Sequence, residues 1–140
     1  MNNNREIIFG IDKKGELSIS ELKELLKKWQ EKLELNDWSL SVEIVEFKHP
    51  DSYRQSGDFI ADPEKKEAQI LMTNDPWRGD EEYTLLHELL HIVLNDYGKS
   101  NEEILLKNFS EFSPEHNAYL EKLENLVHHL TRVFLGRSDR

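Results

Sequence analysis

A short stretch from Thr84 to Leu94, TLLHELLHIVL, carries two histidines and a glutamate in an otherwise aliphatic sequence. His87 and His91 are four residues apart, so on a helix their imidazoles lie one turn apart on one face, where both can bind one metal ion. Glu88 lies at the rim of that face, where a carboxylate can accept a proton from water beside the metal. The spacing indicates a metal site with an adjacent general base, the pattern typical of zinc-dependent peptidases.

The aliphatic residues of this stretch indicate that its polar side chains face a cleft. On a helical wheel the aliphatic residues cover most of the circumference. The polar residues form one narrow stripe, which consists of Thr84, His87, Glu88, His91 and Asn95. A helix that is apolar around most of its surface is largely buried, and a buried polar group without a partner costs on the order of a few kcal/mol. A second interpretation remains open, in which hydrogen bonds satisfy the stripe and it holds no metal.

A catalytic zinc ion usually has three protein ligands, and the sequence after the HExxH motif offers candidates for the third. In the last predicted helix Glu124 borders the apolar face, whereas Glu121 lies nearly opposite the centre of that face. We therefore favour Glu124 as the third ligand, with His116 and Glu121 as alternatives. His128 and His129 are further candidates. The alternative interpretation of His116, His128 and His129 is that they are polar residues at a solvated helix end.

Composition and charge restrict the class of protein. The chain has 140 residues, the length of one domain, and a formal net charge of −10, which disfavours binding to nucleic acid or to an anionic membrane surface. It has no cysteine, which excludes disulfides, thiolate zinc sites and a cysteine nucleophile. No apolar run approaches the roughly 20 residues that span a bilayer, and the first ten residues lack the apolar segment of a signal peptide, so we expect a cytoplasmic protein.

The periodicity of apolar residues predicts a single α+β domain over residues 17–140, preceded by a tail or loosely attached strand over residues 1–16. A helix with a capping box at Ser18 and Glu21 is followed by about three strands and two or three helices. The predicted ranges are 18–35 for the first helix, 37–47, 57–62 and 67–73 for the strands, 80–97 for the HExxH helix ended by Gly98, 102–109 for a short helix, and 114–135 for the last helix, capped by Ser113.

Several of these segments together resemble a known family. The W-x-L-x-V strand that begins at Trp38, the G-x-x-x-A-D strand that begins at Gly57 and TLLHELLHIVL resemble small phage- and bacteria-encoded metallopeptidases. They are also similar to the minigluzincins, which are single-domain zincins. The similarity extends from about Trp38 to Phe134. It implies a zincin-like domain, a zinc cofactor and a polypeptide substrate.

The resemblance also implies roles for individual residues. The glutamate that leads ENLVHHLTRVF, here Glu124, is the third ligand beside His87 and His91. Zinc-activated water hydrolyses the peptide bond, with Glu88 as general base. The strand over residues 67–73 is implied to be a sheet edge that pairs with an extended substrate.

Alternatives remain at several points. Larger gluzincins have an acidic residue at the position of His128, and they take an oxyanion-stabilising residue from a further subdomain; Tyr97, Tyr119 and His128 are candidates for that role here. The SprT-like proteases, a second related family, would use His116 as third ligand. The competing functions are a non-catalytic metal-binding or protein-interaction module and a purely structural domain. The protein is expected to be a monomer or a homodimer, and REIIFGI, residues 5–11, is a candidate segment for covering the sheet or cleft edge.

Overall fold

The computed structural model describes residues 7–48 and 55–137. Within them the fold is α+β, as predicted. Its elements in chain order are β1 (Ile8–Gly10), α1 (Ile19–Lys32), β2 (Ser39–Val45), β3 (Gly57–Asp62), β4 (Glu67–Thr73), α2 (Glu81–Leu106) and α3 (Pro114–Leu135). Among these residues no helix is both long and apolar enough to cross a membrane.

The sheet has four described strands in the order β1-β2-β4-β3. The first two pairings are parallel, with Val42 opposite Ile70, and β3 is antiparallel to β4, with Phe59 opposite the same Ile70. The predicted ranges of β3 and β4 are confirmed. The expected count of about three strands is too low, because Ile8–Gly10 pairs with β2 as a fourth.

The strand order corrects one expectation that came from the resemblance. β4 is not an edge strand, since β2 pairs with one of its sides and β3 with the other. Among the described residues the edge on that side of the sheet is β3. The error arose because strand order depends on long-range pairing, which the periodicity of a single strand does not report.

The hydrophobic core lies between one face of the sheet and the helices. Alternation along β2 buries Leu40, Val42 and Ile44, as predicted for a half-buried strand. Side chains from α1, β4 and α2 complete the core, and the fully buried ones include Leu22, Ile70, Leu85, Leu86 and Leu89. This packing buries one side of the HExxH segment and leaves its polar stripe on the other.

The first helix begins as predicted and ends early. Ser18 accepts from the Glu21 N–H, and the Glu21 carboxylate accepts from the Ser18 N–H, which is the capping box. The helix ends at Lys32 instead of continuing to residue 35. Glu34 adopts a left-handed φ of 58°, and the Leu35 N–H donates to the Gln30 carbonyl. This turn allows the Leu35 side chain to enter the core.

The second helix is longer than predicted. Gly98 does not end it, and the short helix predicted over residues 102–109 is in large part its last turn and a half. Gly98 is buried, and a Cβ there would lie 3.4 Å from the Tyr119 hydroxyl and 3.6 Å from Leu123. Tyr119 donates a hydrogen bond to the Gly98 carbonyl at 2.5 Å. The glycine therefore permits the close approach of α3.

The segment before α1 is joined to the start of α2 by Glu81. One Glu81 carboxylate oxygen accepts from the N–H groups of Glu16 and Leu17, both at 3.0 Å. The other forms an ion pair with Lys13 at 2.5 Å, and both side chains of the pair are buried. Together with β1, these contacts attach residues 8–17 to the rest of the fold.

We expect Glu81→Ala to lower the free energy of unfolding by about 3–5 kcal/mol, because it leaves the Lys13 ammonium buried without its counter-ion. Urea denaturation followed by circular dichroism measures this change. Glu103→Ala, an exposed position on the same helix, is the matched control. A loss below about 1 kcal/mol, the usual value for a surface ion pair, would contradict the anchoring role.

Candidate metal centre

The polar stripe of α2 opens onto a cleft of about 440 Å³ between β3, α2 and α3. Four of the five predicted stripe residues line it, namely Thr84, His87, Glu88 and His91. Asn95 does not. It lines a separate pocket beside Leu33 and Trp38, because it lies one turn beyond His91, where α2 has passed the end of the cleft.

The structure brings three predicted ligands into contact. Glu124 Oε1 lies 2.7 Å from His91 Nε2 and 3.4 Å from His87 Nε2. His128 adds a fourth group, since its Nε2 lies 4.0 Å from Glu124 Oε2. The ligand atoms of His87, Glu124 and His128 all lie within 4.8 Å of one another. Imidazole nitrogens and a carboxylate oxygen therefore converge on one small volume.

This donor set fits a zinc ion. Two histidines and one glutamate are a common ligand set of catalytic zinc. Hydrogen bonds from His87 and His91 hold the pKa of the Glu124 carboxyl far below its usual range, so the carboxylate is charged. The His91 ring stacks on Phe59 with centroids 5.2 Å apart, and the His87 ring stacks on Tyr83 at 6.1 Å. These contacts fix the directions of the two imidazoles.

Glu88 forms part of the cleft wall and is only 6% exposed. Burial, with smaller contributions from the charges of Asp58 and Glu124, raises the pKa of Glu88 to about 8. The backbone of β3 approaches it closely at Gly57. A Cβ on Gly57 would lie 2.7 Å from Thr84 and 3.0 Å from Glu88 Oε2, so a residue without a side chain is needed where the edge strand passes the carboxylate.

The raised pKa predicts how the stability of the protein depends on pH in the presence of a chelator. Between the ordinary value of 4.5 and about 8, the folded protein holds a proton on Glu88 that the unfolded chain has released. The free energy of unfolding should therefore fall as pH rises through this window. Urea titrations across that range, compared with Glu88→Gln, measure the effect. An equal fall in the variant would mean that other groups cause it.

Two alternative third ligands lie outside the cleft. His116 is 2% exposed, its Nε2 lies 2.6 Å from Glu102 Oε2, and its Nδ1 accepts from the Phe112 N–H at 2.9 Å. His116 is therefore buried and does not lie at a solvated helix end, and both of its ring nitrogens have hydrogen-bond partners. Glu121 is exposed and does not line the cleft. The described geometry favours Glu124 over both.

His116→Ala should lower the free energy of unfolding by about 1–3 kcal/mol, because the Phe112 N–H and the Glu102 carboxylate lose their partner. Zinc affinity should not change. Denaturation and chelator competition on the same preparation test both statements. Asn117→Ala is not a neutral control, since Asn117 bonds to the Phe112 carbonyl, so the exposed Glu115→Ala serves instead. A loss of zinc by folded His116→Ala would contradict this assignment.

The remaining predicted positions divide between the cleft and other surfaces. Of the candidates for the oxyanion role, His128 lines the cleft, while Tyr97 and Tyr119 do not. The N-terminal segment lies along the sheet at β1, on the opposite edge from β3, and its described residues 7–11 do not line the cleft. Residues 5 and 6 of REIIFGI lie outside the described residues.

The residues of the cleft that were not identified from sequence include Gly57, Phe59 and Tyr83. Tyr83 lies four residues before His87, so the helical wheel carried a signal for it. Gly57 and Phe59 are on a different element, and only the packing of β3 against α2 brings them to the site.

The fold and the site together define an α+β domain whose cleft carries a histidine and glutamate cluster beside a buried carboxylate. In comparisons with known proteins, no family model, no curated protein and no solved structure matches the chain. The resemblance to minigluzincins therefore stays a prediction, and the function has to be argued from the cleft.

Proposed function

We propose that the protein is a zinc-dependent peptidase with a zincin-like fold, in which His87, His91 and Glu124 hold the ion. The observation that carries this proposal is the contact of both imidazoles with one Glu124 oxygen, beside the buried carboxylate of Glu88. A zinc ion bound there supplies Lewis-acid chemistry, since it lowers the pKa of water and polarises a carbonyl.

Glu88 is the general base of the proposed reaction. It follows His87 directly and lines the same cleft. The positive charge of a bound zinc ion would oppose the rise in the pKa of Glu88 and favour its carboxylate form, which can accept a proton from water placed beside the ligands. In the second half of the reaction it passes that proton to the leaving amine. Its burial keeps the carboxylate away from competing solvent.

The substrate class is an extended polypeptide, and the strand that recognises it is β3. Gly57, Asp58 and Phe59 line the cleft, and the side of β3 away from β4 pairs with no other described strand. An extended peptide can add to such an edge through backbone hydrogen bonds and pass directly over Glu88. We propose β3 in place of β4 as the substrate-pairing edge.

A second candidate function has a specific observation in its favour. His128 lies close enough to His87 and Glu124 to join the ligand set. Four protein ligands are typical of structural zinc sites, which keep no open position for catalysis. The chain would then be a metal-binding module without turnover.

Digestion of denatured casein by the zinc-loaded protein distinguishes these candidates. The peptidase proposal expects fragments, detected by mass spectrometry, that disappear when 1,10-phenanthroline removes the metal. Bound zinc with no fragments would favour the metal-binding module, and a protein that binds no transition metal would exclude both. The Glu88→Gln protein, prepared in parallel, identifies fragments that come from a contaminating protease.

A further inference from the structure

His128 is oriented by contacts on both sides of its ring. Its Nδ1 lies 2.7 Å from the Tyr83 hydroxyl, and its Nε2 lies 4.0 Å from Glu124 Oε2. The ring packs against His87 with centroids 4.5 Å apart and lines the cleft. One ring nitrogen therefore faces Tyr83, and the other faces the proposed ligands.

The surroundings of Tyr83 favour one tautomer of His128. The Tyr83 hydroxyl lies 2.7 Å from His128 Nδ1. Arg132 also acts on this hydroxyl, and a guanidinium can only donate, which favours the phenol as the donor to His128. A neutral imidazole that accepts at Nδ1 carries its own proton at Nε2. In this tautomer the N–H at Nε2 faces the cleft.

We propose that His128 is a further catalytic residue, whose Nε2–H donates a hydrogen bond to the carbonyl oxygen of the scissile peptide as negative charge develops on it. Tyr83 is the positioning residue that fixes the tautomer. The inference rests on the proposed peptidase function and adds the donor that acyl-transfer chemistry requires. It also argues against the alternative zinc site with four protein ligands, because an Nε2 that carries a proton has no lone pair for a metal.

The tautomer is measured directly by long-range ¹H–¹⁵N correlation of the histidine side chains, in both metal-free and zinc-loaded protein. We expect His128 to show a protonated Nε2 and an unprotonated Nδ1 in both. Tyr83→Phe keeps the ring but removes the hydroxyl, so the preference for this tautomer should be lost. The Nδ1–H tautomer in the parent, or an unchanged tautomer in Tyr83→Phe, would overturn the proposal. The signals that disappear in His128→Gln are those of the His128 ring, which assigns them.

Kinetics test the catalytic role. We expect His128→Ala to lower kcat by about 100-fold and to leave zinc affinity unchanged. Tyr83→Phe should lower kcat by about 10-fold. His128→Gln, whose amide N–H can donate, should recover part of the loss, and His129→Ala, an exposed neighbour outside the cleft, is the control.

Two outcomes, one in the kinetics and one in zinc binding, would reject the role of His128. Parent-like kcat in folded His128→Ala would exclude it as a donor, and a loss of zinc as large as that of His87→Ala would make it a fourth ligand. Failure of the parent itself to bind zinc or cleave peptides would instead reject the proposed function. The tautomer measurement is independent of that failure.

Discussion

Glu88→Gln is expected to lower kcat for peptide hydrolysis by about 10²–10⁴-fold while the protein retains its zinc. The amide has nearly the shape of the carboxylate but cannot accept a proton from water. Glu88 lines the cleft and is not one of the three proposed ligands, so the metal should stay. Cleavage of a fluorogenic peptide and elemental analysis of the same preparation provide the two measurements.

The comparison variants separate a base from a ligand. His87→Ala should lose both zinc and activity, whereas Glu103→Gln, at an exposed position on the same helix, should keep both. If Glu88→Gln lost zinc as completely as His87→Ala, the carboxylate would be a ligand. If it cleaved the peptide at the parental rate, another group would be the base.

The second large effect is expected at Glu124. Mutation of a residue that only hydrogen-bonds to a metal ligand already lowers metal affinity by about 10–100-fold. Glu124 is proposed to bind the zinc itself, so Glu124→Ala should weaken zinc binding by more than about 100-fold. Glu121→Ala should bind zinc like the parent, because that side chain is exposed and outside the cleft. Competition with a chromophoric chelator measures both variants.

The result at this position also distinguishes two families. Parental zinc affinity in Glu124→Ala, combined with loss of zinc in folded His116→Ala, would favour the histidine-ligand proteases over a gluzincin-like site. The buried hydrogen bonds of His116 to Glu102 and Phe112 make that combination unexpected. His87, Glu88 and His91 would keep their proposed roles in either family.

The parts of the cleft that were predictable from sequence are those that a single helix determines. His87, Glu88 and His91 share a face because of the helical repeat alone, and Glu124 was favoured over Glu121 because only Glu124 borders the apolar face of α3. The same periodicity would have drawn attention to Tyr83, which lies one turn before His87. His128, one turn after Glu124, was already a candidate for the oxyanion role. Their significance appears only when α2 and α3 are packed together.

The parts that failed depend on contacts between distant segments. Gly98 has the residue type of a helix end, but Tyr119 and Leu123 of α3 need a glycine there for close packing. β4 was expected at the sheet edge, and β3 covers that edge by antiparallel pairing. The sequence left open whether residues 1–16 form a tail or a loosely attached strand, and Ile8–Gly10 becomes a strand because β2 offers a free side.

The measurement that tests the central claim most directly is a crystal structure of the zinc-loaded protein with anomalous data collected on both sides of the zinc edge. We expect one zinc peak per chain in the cleft, with His87 and His91 nitrogens at about 2.0–2.1 Å, a Glu124 oxygen at about 2.0–2.2 Å and one position open to solvent. A cleft without a zinc peak, or a peak coordinated by His128 in the open position, would contradict the proposed catalytic site.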